Sequence, residues 1–238
     1  MAKGASKGTA KKGGKKPKAK AAAPAASPRL PAGRHGLPRE FIVQNQRERI
    51  ITALVDTVAE RGYNETTVAH ITKAASVSRR TFYEHFADKE ACFLAAYEMV
   101  SDHIRASMQA AAESFEDWPQ QVRAALATML RFLAGEPELA RLTMIEPIAA
   151  GGEIAARHRA SMQGFVEILK AGRPEHGGEH PLPAATEETL VGGIVSLIVR
   201  EISAGRAAQL EQLLPDLVEL TLAPYVGAEE AERLARQP

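Results

Sequence analysis

The densest group of side chains capable of molecular recognition lies between Glu65 and Glu90. Arg79 and Arg80 carry planar guanidinium groups that match the O6 and N7 acceptors of guanine, and Glu84 can accept from cytosine N4. Side chains able to contact phosphates or base edges accompany them: Thr67, Ser78, Thr81, Tyr83, His85 and Lys89. A simpler interpretation is that Arg80 and Glu84 form only an i,i+4 ion pair on a solvated helix. The surrounding pattern favours DNA recognition.

Two short helices must position these side chains. Thr66 or Thr67 can cap the first helix, whose buried positions three and four residues apart are Val68, Ile71 and Ala75. The apolar pattern then stops in a run of small polar residues at 76–78, which indicates a tight turn.

The second short helix begins after Ser78, a capping residue, and has Phe82 and Phe86 four residues apart on its inner face. Asp88 is a further cap signal and opens a longer helix at Lys89. Two short helices joined by a tight turn are typical of a helix-turn-helix, whose second helix enters the major groove.

These residues resemble the N-terminal domain of the tetracycline-repressor (TetR) family of regulators, in the family's order and spacing. The matching positions are Gly62-Tyr63, Thr66-Thr67-Val68, Ile71, Val77-Ser78, Thr81-Phe82-Tyr83, His85-Phe86 and Lys89-Glu90. The chain departs from the family at Ser76, where glycine is common, and at Arg80, where a small residue is common.

The resemblance implies an all-α homodimer with an N-terminal three-helix DNA-binding domain and a C-terminal helical domain for ligand binding and dimerisation. By position, it assigns base reading to Arg79, Arg80 and Thr81. It assigns backbone or mixed contacts to three further residues: Tyr83, His85 and Lys89.

Charge is divided sharply along the chain. The first 37 residues carry ten basic and no acidic side chains, whereas the remaining 201 carry 20 basic and 29 acidic ones. The near-neutral net charge of the whole chain therefore does not exclude binding to nucleic acid. The segment 1–37 is too polar and proline-rich to fold, and we expect a disordered basic arm that holds DNA by counterion release. A solubilising leader without a specific role is the alternative.

The predicted boundaries are a helix-turn-helix domain at 38–88, a helical ligand-binding and dimerisation domain at 89–227, and a frayed polar tail at 228–238. Periodicity and caps predict the helices at 39–61, 89–112, 118–135 (capped by Asp117), 137–146 (ended by Pro147), 153–171, 186–204 and 210–223 (kinked at Pro215). The last two match the family's dimer-forming pair, although they could instead complete the core of a monomer.

The middle helices contain adaptable apolar side chains that could line a ligand pocket: Met129, Phe132, Met144, Met162 and Phe165, with Trp118 nearby in sequence. Ordinary core packing is the alternative for each. Candidate polar anchors for a ligand are His103, Arg141, Glu146 and His158.

Other classes of function lack their motifs. The chain has no glycine-rich phosphate loop, nucleophile elbow or His-Glu-x-x-His motif, so we predict no catalytic residues and no enzyme. The loop with Glu175, His176, Glu179 and His180 offers metal ligands, but its glycines and prolines argue against a chelating helix, and we predict no metal and no cofactor. The single Cys92 and the absence of a long apolar run indicate a cytoplasmic, nucleoid-associated protein without a membrane span.

The sequence therefore predicts a dimeric transcriptional regulator, a repressor released by an unidentified small molecule, that binds double-stranded DNA at an inverted repeat. The alternative is an architectural DNA-binding protein dominated by its lysine-rich arm, with no inducer.

Deleting residues 1–28, which removes eight lysines, should flatten the slope of log affinity against log salt by several units, since each neutralised phosphate contributes about −0.9. Random and operator DNA should weaken almost equally, because disordered lysines read no base edges. Fluorescence anisotropy over a salt series measures both. An unchanged slope would make the arm a passive leader.

Overall fold

Three helices in the N-terminal part of the chain form the frame of the predicted DNA-binding domain. The computed structural model describes residues 38–173 and 181–237, and within these ranges it contains helices and no strand. The first three helices are α1 (Arg39–Arg61), α2 (Val68–Ala75) and α3 (Arg79–His85). The predicted α1 is confirmed, and Gly62, with φ +80°, ends it by donating its N–H to the Val58 carbonyl.

The rest of the described chain is also helical, and the prediction of an all-α fold is confirmed. The helices in order are α4 (Lys89–Ala112), α5 (Trp118–Gly135), α6 (Pro137–Met144), α7 (Glu146–Ala150), α8 (Gly152–Lys170), α9 (Thr186–Ser203), a 3₁₀ helix (Ala207–Leu213), α10 (Leu214–Val226) and α11 (Ala228–Ala235).

Side-chain caps fix the ends of the helices that form the DNA-binding motif. Thr67, Ser78 and Asp88 each accept a hydrogen bond from the amide three residues later, at 3.2, 2.9 and 2.8 Å. All three predicted caps therefore form, with Thr67 rather than Thr66 at the start of α2. Each such cap stabilises its helix by about 1 kcal/mol.

The turn between α2 and α3 is fastened to α1. Ser76 adopts the left-handed conformation, with φ +52°, at the position where the family commonly has glycine. Arg49 donates to the carbonyls of Ala75 and Ser76, the latter at 3.4 Å. These bonds from α1 offset the strain of a non-glycine residue in this conformation, which is about 1–2 kcal/mol.

One continuous hydrophobic core runs from α1 to α11. The predicted inner stripe of α1 is buried, as are both aromatic residues on the inner side of α3: Ile51, Leu54, Val55, Val58, Phe82 and Phe86. Cys92 lies at 0% exposure in the same core, and burial raises the pKa of its thiol to about 12. It is a packed apolar residue and no nucleophile.

Two local predictions in the C-terminal part are wrong, and a third is confirmed in position only. Asp117 is the N-cap residue of α5, as predicted, but its side chain makes no capping bond. Pro147 does not end α6; α6 already ends at Met144, and Pro147 stands in the first turn of α7. Pro215 likewise lies in the first turn of α10, after a 3₁₀ helix, and kinks nothing. Proline is tolerated in a first turn because the amide it lacks would have no helical partner there.

The expectation of a frayed tail at 228–238 is also wrong. Residues 228–235 form α11, in which Ala231 and Leu234 are fully buried. Arg123 of α5 donates from Nε to the Leu234 carbonyl at 3.1 Å. The segment is amphipathic, and its glutamates and arginines form the outer face of a helix that packs on α10.

Two predictions lie outside the described residues: the disordered arm at 1–37 and the loop with Glu175, His176, Glu179 and His180. Across 38–173 and 181–237 the structure contains no group of three or more His, Cys, Asp or Glu side chains arranged for a metal. None of the helices in these ranges is long and apolar enough to cross a membrane.

Leu234→Ala should lower the free energy of unfolding by about 2–5 kcal/mol, because it removes a fully buried side chain and leaves a cavity. Urea denaturation measures the change. Ile148→Ala is the control, since Ile148 is 61% exposed and its truncation should cost less than about 0.5 kcal/mol. Equal effects of the two variants would show that α11 is not packed in solution.

Candidate functional site

Helix α3 presents its arginines to solvent. Arg79 and Arg80 are exposed, and Tyr83 is 51% exposed, whereas Phe82 on the opposite side is fully buried. Arg80 Nε lies 3.1 Å from Glu84 Oε1. Because the two side chains are 90% and 56% exposed, this i,i+4 pair stabilises the helix by about 0.2–0.5 kcal/mol at most. A base edge can therefore displace it at little cost.

The predicted hydroxyl contacts lie beside these arginines. Ser78 and Thr81 join their hydroxyls at 2.8 Å at the start of α3, and Ser78 also caps that helix. Thr67 is exposed at the start of α2. The structure thus places Ser78 and Thr81 at the start of α3, beside Arg79 in sequence, and Thr67 at the start of α2.

His85 and Lys89 are more enclosed than the sequence suggested. His85 Nε2 lies 3.4 Å from Gln46 Oε1 of α1, and the pKa of His85 is lowered by burial and by Arg47. Lys89 Nζ donates to the Tyr63 carbonyl at 2.7 Å and stands 3.9 Å from the centroid of the Tyr63 ring. Burial lowers the pKa of Lys89, with Glu65 opposing it. Contacts of these two side chains with phosphate remain predictions.

A second candidate site is a cavity of about 350 Å³ between α4, α5, α8 and α9. All four predicted pocket residues line it: Met129, Met144, Met162 and Phe165. Its wall is apolar except for Arg105, Gln109 and Thr221. A smaller chamber of about 80 Å³ shares six wall residues with it and adds Ser101 and Ser161. Such a volume and lining suit a mainly apolar small molecule.

Two aromatic residues expected near the pocket pack elsewhere. Trp118 lies against Tyr225, with ring centroids 4.9 Å apart, and Phe132 lies 5.5 Å from His103. His103 was itself a candidate anchor, but it lines neither the cavity nor the smaller chamber.

The other three candidate anchors also fall outside the cavity wall. His158 Nδ1 lies 3.2 Å from the Tyr97 hydroxyl, and burial lowers the pKa of this imidazole. Arg141 Nη2 and Glu146 Oε1 pair at 3.0 Å. None of the three lines the cavity, and the buried Glu146 and His158 have partners within the protein instead.

Glu146 instead joins the two halves of the chain. It is 3% exposed, and its Oε2 accepts the backbone N–H of Tyr63 at 2.8 Å. Nearby, Asn64 Nδ2 donates to the Ala149 carbonyl at 3.3 Å. The loop between α1 and α2 is therefore docked on the junction of α6 and α7. Met144, two residues before Glu146, belongs to the cavity wall.

A buried polar cluster, absent from the sequence predictions, lies one helical turn from the cavity. Arg173 donates to both carboxylate oxygens of Glu187, at 2.7 and 2.5 Å, and the Tyr225 hydroxyl donates to the same carboxylate at 2.7 Å. Arg173 lowers the pKa of Glu187 to about 2, and burial beside that carboxylate raises the pKa of Tyr225. Each member stands four residues from a wall residue: Leu169, Val191 and Thr221. The cluster ties the segment just after α8 to α9 and α10.

The motif built from α2 and α3 matches a known family. The model for bacterial regulatory proteins of the tetR family matches residues 50–96, which include the caps, the turn and the exposed arginines. This stretch of the chain therefore matches the tetR family.

The chain is also similar to two bacterial regulators. The fatty acid metabolism regulator protein of Bacillus subtilis is 25% identical over 121 residues; the match covers 51% of this chain and 62% of that protein, less than two thirds of its length. A probable acrEF/envCD operon repressor of Escherichia coli is 24% identical over 207 residues, covering 80% of this chain and 91% of the relative.

A solved structure shares the fold of this chain. The transcriptional regulator FadR of Bacillus subtilis, crystallised with stearoyl-CoA, superposes with a TM-score of 0.64 at 21% identity. The match covers 74% of this chain and 97% of that structure.

Glu146→Ala should lower the free energy of unfolding by about 1–3 kcal/mol, because it leaves the Tyr63 amide without its acceptor. Hydrogen exchange at that amide should accelerate. Glu146→Gln keeps an acceptor oxygen and should recover part of the loss.

Glu98→Ala is the matched control, since the Glu98–Arg157 pair is about half exposed and its loss should cost less than about 1 kcal/mol. If Glu146→Ala behaved like this surface variant, the docking of the α1–α2 loop would not depend on the carboxylate.

Proposed function

We propose that the protein is a homodimeric, sequence-specific DNA-binding transcriptional regulator, a repressor that a mainly apolar small molecule releases from its operator. The observation that carries this function is the pair of exposed arginines on α3, held by capped helices within the stretch that the family model matches. The activity is regulatory and non-enzymatic, exerted in the cytoplasm at the nucleoid. An architectural protein without an inducer is not supported, since the family is regulatory.

In this proposal Arg79, Arg80 and Thr81 read base edges, and Thr67, Ser78 and Tyr83 contact phosphates or sugars. His85 and Lys89 position the motif and contribute mixed contacts. The exposure of Arg80 and the weakness of its bond to Glu84 support base reading, because an arginine engaged only with solvent and a neighbour is free to reorient.

The dimer forms, in our proposal, through α9 and α10. Leu220 of α10 is 60% exposed, and Gly192 and Gly193 of α9 are exposed, with nothing within 4 Å of where a Cβ would stand. Small residues on α9 permit close approach of a second helix, and paired across a two-fold axis the helices make a four-helix interface. The DNA-binding domain would then comprise residues 38–88, and the ligand-binding and dimerisation domain residues 89–235.

We propose a long-chain acyl compound as the ligand. The wall of the 350 Å³ cavity contributed by α5, α8 and α9 is apolar throughout, which suits an alkyl chain. Arg105 and Gln109 are exposed polar residues of the wall, and Arg105 can pair with an acidic head group. The names of the similar regulators of fatty acid metabolism support this class of ligand.

The signal would travel through α6 and α4. Met144 belongs to the cavity wall and Glu146 holds Tyr63, so a ligand that moves α6 also moves the α1–α2 loop. Helix α4 contributes Met108 to the wall and begins at the Asp88 cap beside α3. Ligand would favour a dimer in which the two α3 helices no longer match successive major grooves.

Genome-wide mapping followed by footprinting tests this function. It should yield an inverted repeat with half-site centres about 34–36 Å apart, or a multiple of that distance. Arg80→Ala should weaken operator binding by about 1–3 kcal/mol and relax specificity at one base pair.

Arg131→Ala is the matched control, because Arg131 is similarly exposed but lies on α5; it should leave operator affinity unchanged. A monomer in solution with no palindromic footprint would refute the proposed function. An equal loss on random DNA in Arg80→Ala would make Arg80 a phosphate contact.

A further inference from the structure

Thr221 of α10 is a wall residue of the larger cavity whose hydroxyl has no hydrogen-bond partner among the described residues. Thr221 is 1% exposed, and its Oγ1 is shielded from solvent. The other buried threonines in the described ranges all donate to a nearby backbone carbonyl, at 2.6 to 3.2 Å: Thr57, Thr66, Thr72 and Thr143. A helical threonine ordinarily satisfies its hydroxyl in this way. Thr221 therefore differs from these threonines in lacking an acceptor for its hydroxyl.

The other polar side chains on this wall already have partners. Arg105 pairs with Asp102 at 2.8 Å, and Gln109 donates to Glu113 at 2.9 Å; both lie on the exposed side of α4. One turn from Thr221, the Tyr225 hydroxyl donates to the fully buried Glu187. Thr221 is thus the buried wall residue with unused hydrogen-bonding capacity.

We infer that Thr221 determines ligand specificity by bonding to an oxygen within the apolar body of the ligand. This inference rests on the ligand-binding function proposed above and deepens it: the preferred compound is a long-chain acyl compound with a hydroxyl or keto group along its chain. A buried hydroxyl without a partner is costly, and an oxygen in the ligand removes that cost. A plain alkyl chain leaves the hydroxyl unsatisfied, so the site discriminates against it.

The first test needs no ligand. Thr221→Val keeps the shape of the side chain and removes the unpaired hydroxyl, so the melting temperature of the full-length protein should stay the same or rise. Thr57→Val is the matched control: its hydroxyl donates to the Ala53 carbonyl at 2.6 Å, and its loss should lower the melting temperature. If both variants melted earlier by a similar amount, the Thr221 hydroxyl would have a partner within the protein and the inference would be overturned.

The second test compares stearic acid with hydroxystearic acids that differ in the position of the hydroxyl, by isothermal titration calorimetry. The wild type should bind at least one isomer about two- to tenfold more tightly than stearic acid, the range that one net hydrogen bond provides. Thr221→Val should lose this preference and bind stearic acid at least as tightly as the wild type does.

The outcomes separate this inference from the function on which it rests. Binding of stearic acid with no preferred isomer, or with a preference that survives in Thr221→Val, would overturn the role of Thr221 and leave the acyl ligand standing. Failure of stearic acid and every isomer to bind would overturn the acyl ligand and the role of Thr221 together.

Discussion

The backbone of Tyr63 is the constraint on which the arrangement of the two halves depends. Its N–H donates to the buried Glu146 carboxylate from the C-terminal half, and its carbonyl accepts from Lys89 at the start of α4. The ring of Tyr63 packs edge-on against Phe93, with centroids 5.0 Å apart. A backbone amide and a carboxylate buried together are costly to separate, since each would lose its partner away from water.

This constraint connects the cavity to α3 by a short path. The stretch from Met144 to Glu146 spans the distance between the cavity wall and the docked loop. The docked loop follows α1, and Arg49 of α1 donates to the Ser76 carbonyl in the turn before α3. A packed interior does not deform continuously, so a displaced α6 must either carry the loop with it or break the bond. In the proposed function, either outcome would change how α3 meets the DNA.

The DNA-binding part was predictable because its determinants are local. Caps at Thr67, Ser78 and Asp88 and apolar spacing within single helices define it, and each signal lies within a few residues of the element that it specifies. The cavity residues were predictable only as a set, because Met and Phe at helical spacing on neighbouring helices must meet in a helical core.

The polar contacts between distant elements could not be predicted. Glu146 meets a backbone amide 83 residues away, and Tyr225 meets Glu187 across 38 residues; no periodicity records such a pairing. For the same reason the sequence suggested three ligand anchors that instead have partners within the protein: Arg141, Glu146 and His158. Helix α11 escaped prediction because its buried face consists largely of alanine among charged residues, a weak apolar signal.

The central claim is that the cavity and α3 are energetically coupled through α6 and α4, and a reciprocal titration tests it most directly. Operator affinity is measured with and without a saturating acyl ligand, and ligand affinity with and without saturating operator. Coupling predicts that each weakens the other by the same factor. A compound that binds the cavity tightly and leaves operator affinity unchanged would contradict the account.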